Sequence, residues 1–260
     1  MKNSHHHLIW KSAMLACLLL GFVSLPLYAE EEVLFPHIFN LGSGNNTYIY
    51  VQNLSDSDSN NVTVTYFGQD GMQAGNEAKT LDTLGSARFM DLPAGFQGVA
   101  RVSCTEDCTV TGTWNFSLEG QGDFAVGISP VDPMKTSTRW AAPIPLIGEN
   151  SGFGIAVHNV GTSPTTCSAF YYGPDGEQVV PFEGFPPNQG IPVGGQTAFL
   201  SASVPGNIPP EDVGPDGFEG GLLLTCFEPV IPVVVNQDQV NGFPTPINME
   251  VREEPSPAVE

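Results

Sequence analysis

Basic residues are scarce in this sequence. The 260-residue chain carries 8 Lys and Arg against 28 Asp and Glu, a formal net charge of −20. That excludes nucleic acid and anionic lipid as partners, because binding either needs a basic patch. Long apolar runs are scarce as well. One exists, from Ser12 to Leu25, with Lys2 and Lys11 ahead of it and Pro26, Leu27, Tyr28 and Ala29 behind. About 14 residues is short for a bilayer span. The positive start and the small residue at the end read as a signal peptide over 1–29, cleaved on export. Cys17 after Leu15 and Ala16 offers a lipoprotein alternative, but the apolar run continues past it. No later stretch is apolar enough to cross a membrane. Without Lys2 and Lys11, six basic residues face 28 acidic ones, a net charge of −22 on a chain long enough for two ordinary domains.

Enzyme signatures are missing too. There is no Gly-x-Ser-x-Gly elbow, no phosphate-cradling glycine loop before a helix and no His-Glu-x-x-His. No convincing amphipathic helix follows the signal. The three histidines at 5–7 leave with it, so His37 and His158 alone remain. Four cysteines remain, Cys104, Cys108, Cys167 and Cys226. An even number in an exported chain predicts two disulfides, and their spacing does not suit zinc.

What the sequence does contain is a pattern written twice. "TYIYVQN" (47–53) lines up with "FGIAVHN" (153–159), "VTVTYFGQDG" (62–71) with "CSAFYYGPDG" (167–176), and "GVARVSC" (98–104) with "GGLLLTC" (220–226). The order is the same in both copies, and the second holds a longer Pro/Gly-rich insertion around 183–219. Apolar residues alternate with period 2 and are cut by Gly, Pro, Asn and Asp, which marks half-buried strands. The expectation is an all-β protein. Two tandem β-sandwich domains, 33–134 and 138–251, follow the signal peptide, and 252–260 forms a disordered acidic tail. The alignment sets Cys167 beside Val62 and Cys226 beside Cys104. A Cys167–Cys226 bridge would cross the second core, and a Cys104–Cys108 bridge would staple a tight hairpin.

These segments resemble an immunoglobulin-like β-sandwich repeat of exported bacterial proteins. The resemblance rests on Val51/Asn53 and Val157/Asn159, on the two aromatic-Gly-x-Asp-Gly turns, and on Gly98–Cys104 and Gly220–Cys226 followed by Pro229 and Val230. The first copy departs from the pattern where Cys108 stands in place of Val230. The resemblance implies a surface or extracellular module and no single activity.

The second copy also weighs candidate sites in the first. In both turns a Gly-x-Asp-Gly pattern persists while Gln69 becomes Pro174, which is turn chemistry and not a phosphate loop. His158 aligns with Gln52 at an outward position, a poor place for a ligand or base. Asp56, Asp58 and Asn60 have the alternating spacing of a calcium loop, but Asn61 and Phe67 fall where that loop needs Gly and Glu. No other cofactor is expected. Tyr48, Tyr50 and Phe67 are the expected binding residues, outward aromatics suited to a glycan or protein partner. Trp114 reads as core. The sequence therefore predicts an exported, non-enzymatic adhesion, scaffold or envelope-interaction protein. Its alternatives are a carbohydrate-binding protein and an accessory subunit of a larger assembly.

Overall fold

The computed structural model describes residues 31–118, 122–147, 151–186, 190–200, 218–238, 244–247 and 249–251. The expected signal peptide, part of the Pro/Gly-rich insertion and the expected tail lie outside the described residues. The chain is all-β with two antiparallel sheets. The first holds β1 (Glu31–Gly42), β2 (Asn45–Asn53), β3 (Asn60–Gly68), β4 (Gln73–Leu81), β5 (Ser86–Phe89), β6 (Phe96–Cys104), β7 (Cys108–Leu118) and β8 (Gly122–Ile128). The second holds β9 (Ser137–Ile147), β10 (Ser151–Asn159), β11 (Cys167–Tyr172), β12 (Gln178–Phe185), β13 (Gln196–Leu200), β14 (Phe218–Asp238), β15 (Pro244–Ile247) and β16 (Glu250–Val251).

Alternation sets the inner face of each strand. In β3, Asn60, Val62, Val64 and Tyr66 are buried; in β11, Cys167, Ala169 and Tyr171 are. A two-sided strand arrangement then covers each core. In the first half β1 belongs to both sides. It pairs with β6 from Glu31 to Asn40, then with β2 at Asn40 and Gly42. The order β4-β3-β6-β1 lies on one side, and β2, flanked by β5 and β7, continues to β8 on the other. Phe35, Ile49, Val51, Val64, Tyr66, Phe89, Val102 and Trp114 fill the space between. In the second half a single 21-residue strand spans both sides. β14 pairs with β11 up to Cys226 and with β9 up to Thr225 and again at Val230, and it pairs with β10 and β15 from Val230 onward.

Both disulfides form, and each corrects its sequence expectation. β6 pairs with β1 and β3, while β7 pairs with β2 and β8. The Cys104–Cys108 bond therefore closes an arch over the core, not a hairpin. Both cysteines point inward and are buried, so the chain rolls over the core instead of folding back within one sheet. Asn60 fills the arch. Its Oδ1 accepts from Thr105 N (3.0 Å) and Glu106 N (3.3 Å), and its Nδ2 donates to Glu106 O (2.7 Å). Cys167 and Cys226 sit directly opposite each other on β11 and β14. Their bond links adjacent strands and does not cross the core.

The Val-x-Asn pattern has a physical cause. Asn53 and Asn159 are fully buried at the ends of β2 and β10. Asn53 Nδ2 donates to Asp58 O (2.8 Å) and Asp82 O (3.0 Å), and its Oδ1 accepts from Ser55 N (3.0 Å). Asn159 Nδ2 donates to Ser163 O and Ile191 O (both 2.9 Å), and its Oδ1 accepts from Gly161 N (2.9 Å). Each buried amide ties together the backbone of two loops and has its own donor and acceptor satisfied by them.

Candidate functional site

Tyr48 and Tyr50 point outward from β2, as the alternation predicted. Their ring centroids lie 6.5 Å apart at 82°, an edge-to-face contact. Register sets Tyr50 opposite Arg88 on β5 and opposite Thr111 on β7. The Arg88 guanidinium lies 4.8 Å from the Tyr48 ring centroid, a cation–π distance. Tyr50, Gln52, Ser86, Arg88, Thr109 and Thr111 line a shallow groove of about 390 Å³ floored by Val51 and Ala87. None of these is a carboxylate, in a chain with 28 of them. Arg88 is exposed and has no carboxylate partner among the described residues.

The other expected residues lie elsewhere. Phe67 is at the far end of β3 and packs with Leu34, Val99, Val131, Val160 and Ile231, between the two halves. Arg101 covers its ring at 5.4 Å. It does not join the tyrosines. Of the calcium candidates, Asn60 has both ends of its amide engaged by the arch, while Asp58 Oδ2 accepts from the Ser57 hydroxyl at 2.6 Å. Among the described residues no three His, Cys, Asp or Glu side chains gather where they could hold a metal ion.

His37 and His158 belong to the seam between the halves. His158, expected outward, is 3 % exposed because the first half covers it. Its Nδ1 lies 3.0 Å from Gly195 O. Burial lowers it to about 4, and the nearby Arg101 cation adds to the drop although the bond to Gly195 opposes it. His37 Nδ1 lies 3.1 Å from Gln196 Nε2, which also donates to Thr197 O at 3.1 Å. A carbonyl can only accept, so the amide nitrogen must face both atoms, and His37 Nδ1 is the acceptor. Burial lowers His37 to about 4 as well. Beside it a cleft of about 380 Å³ opens between the halves, lined by His37, Trp114, Trp140 and Met249. The indole Nε1 of Trp114 donates to His37 O, and that of Trp140 to Val230 O (both 3.1 Å), so both rings serve the fold.

The first-half turn completes the seam. Gln196 N donates to Gln69 O at 3.2 Å. A Cβ on Gly71 would stand 2.2 Å from Val193 O, so only glycine lets the turn seat there.

The perturbed carboxylate in the first half, Glu77, is structural. Glu77 is partly buried, which opposes ionisation, yet Lys79 and the N–H groups of Met90 and Asp91 hold its carboxyl below the usual range. It ties β4 to the segment after β5 and closes that edge.

Sequence reasoning missed Arg88 and the seam partners Gly195 and Gln196. Inward Ala87 and Phe89 in "SARF" implied an outward Arg88. Nothing local said that β5 would lie against β2. Compared with known proteins, the chain matches no family model, no curated protein and no solved structure.

Proposed function

We propose that this chain is an exported, non-enzymatic adhesion, scaffold or envelope-interaction protein. In this reading it consists of two copies of one immunoglobulin-like sandwich, and its recognition face is the groove over β5, β2 and β7. Export is supported by the two disulfides, which persist in oxidising compartments. Among the described residues no helix is long and apolar enough to cross a membrane. Duplication is supported by register: Val62 faces Cys104 as Cys167 faces Cys226, and Asn53 faces Cys108 as Asn159 faces Val230.

The observation that carries the recognition face is its composition. Two edge-to-face tyrosines, one arginine, amides and hydroxyls meet on a surface without acids. Rigid aromatics give contact area at low entropic cost, and arginine is enriched at interfaces. The test is binding to components of the native envelope fraction. The Tyr48→Ala/Tyr50→Ala variant is expected to keep its melting temperature and lose that binding. Unchanged binding, or turnover of any glycan, ester or peptide in a broad substrate panel, defeats the proposal. The same adjacent tyrosines favour a second reading, recognition of a carbohydrate polymer. A glycan array on which the wild-type chain finds no ligand eliminates it.

A further inference from the structure

The seam inside the chain shows how one half receives the other. The second half offers the outward face of β13, β10 and the C-terminal part of β14, including Gln196, His158, Ile231 and Val233. The first half inserts its 68–72 turn, held by Gly68 N to Met72 O at 2.9 Å and Gly71 N to Gly68 O at 3.0 Å.

The seam leaves one matching pair of surfaces open. Register sets Ser86, Gln52, Thr109 and Thr111 on β5, β2 and β7 where Gln196, His158, Ile231 and Val233 sit on β13, β10 and β14. The 173–177 turn repeats the hydrogen bonds of the first, with Gly173 N to Glu177 O at 2.8 Å and Gly176 N to Gly173 O at 3.0 Å. Among the described residues nothing lies within 4 Å of where a Cβ on Gly176 would stand. We propose that the open face of the first half receives the 173–177 turn of a second copy of this chain, so that copies associate head to tail. The proposal rests on the reading of that groove as the recognition face and names its occupant.

Charge complements the fit. The groove lacks acids and presents Arg88, while the turn presents the exposed side chains of Asp175 and Glu177. Opposite charges set register and suppress wrong partners. The backbone fits too. The seam uses the carbonyl of Gln69, and Pro174 keeps its carbonyl although it lacks the N–H. The Ser86 N–H stands where the donating Gln196 N–H does. One residue differs against close approach: Leu84, at φ 56°, occupies the place of Gly194, at φ 70°. Its side chain holds the incoming turn farther out and gives Pro174 an apolar contact. The contact between copies is therefore weaker than the seam. Because it joins unlike surfaces, it leaves a free end at each step and builds a ring or an open array according to the rotation between copies.

Sedimentation velocity of the purified, disulfide-bonded chain tests this up to about 500 µM, where a small polar interface associates. The wild type is expected to sediment faster as concentration rises. Arg88→Glu alone and Glu177→Arg alone are expected to remain monomeric, with unchanged circular dichroism. An equimolar mixture of the two regains association, because each then meets an opposite charge. A monomeric wild type overturns the proposal, as do single variants that associate like the wild type or a mixture that stays monomeric. A chain that stays monomeric yet binds envelope components through Tyr48 and Tyr50 sinks this inference and leaves the recognition face standing.

Discussion

The turns at 68–72 and 173–177 share a sequence pattern, a left-handed glycine and a hydrogen-bonding scheme, yet they differ in what surrounds them. Gly71 and Gly176 have φ of 79° and 84°. Asp70 Oδ1 accepts from Met72 N and Asp175 Oδ1 from Glu177 N, both at 3.0 Å. The first turn is pressed into the second half of the chain, and the second touches none of the described residues at Gly176. Local chemistry thus fixes the shape of a turn, and tertiary position decides how much that shape must exclude.

Substitutions can break this comparison between halves, and reduction of the disulfides has the largest expected effect. Cys167 and Cys226 are separated by 59 positions in sequence and Cys104 and Cys108 by 4. Closing those loops restricts the unfolded chain by about 4 and about 2 kcal/mol. Cys167→Ser/Cys226→Ser should therefore lower the unfolding free energy in denaturant titrations about twice as much as Cys104→Ser/Cys108→Ser. Equal losses would mean that the bonds act through native geometry. Next come the glycines. Gly71→Ala adds backbone strain and a clash with Val193 O, together about 3 kcal/mol. Gly176→Ala carries the strain alone, about 1 kcal/mol. Only the first should also raise protease cleavage in the 129–136 connection. Parallel losses would show that the seam does not hold the first turn.

A further expected effect depends on pH. His37 and His158 titrate near 4 in the folded chain and near 6.5 when unfolded. The unfolded chain therefore binds more protons between those values. The stability present above about pH 6.5 is lost as pH falls toward 4, each histidine contributing to the loss. Melting temperatures from pH 7 to 4.5 should fall more steeply for the wild type than for His158→Gln. Parallel curves would separate His158 from the seam.

Strand positions and inward faces were legible because alternation is local. Val62, Val64 and Tyr66 announced their burial, and the outward Tyr48 and Tyr50 followed from Ile49 and Val51. The pairing of the arch was not legible. "CTEDC" has the length of a hairpin turn, and only the inward direction of both cysteines, set by distant partners, makes it an arch. His158 was misread for a similar reason. Alternation correctly turned it away from its own core, but it could not show that the first half would cover it. Phe67 followed the same rule into the same seam. Arg88 escaped notice because its significance lies in its neighbours across β2, which sequence distance hides.

The bond between Cys167 and Cys226 also has a mechanical consequence. When the chain is pulled from its two ends, tension passes through the sulfurs and bypasses the chain between them, a sequence separation of 59. At about 3.5 Å per extended residue, roughly 200 Å of contour length stays hidden until that bond is reduced. The Cys104–Cys108 bond hides only a short arch. Under load the two halves are therefore unequal springs: the first can unravel almost completely, while the second yields only what lies outside its covalent loop.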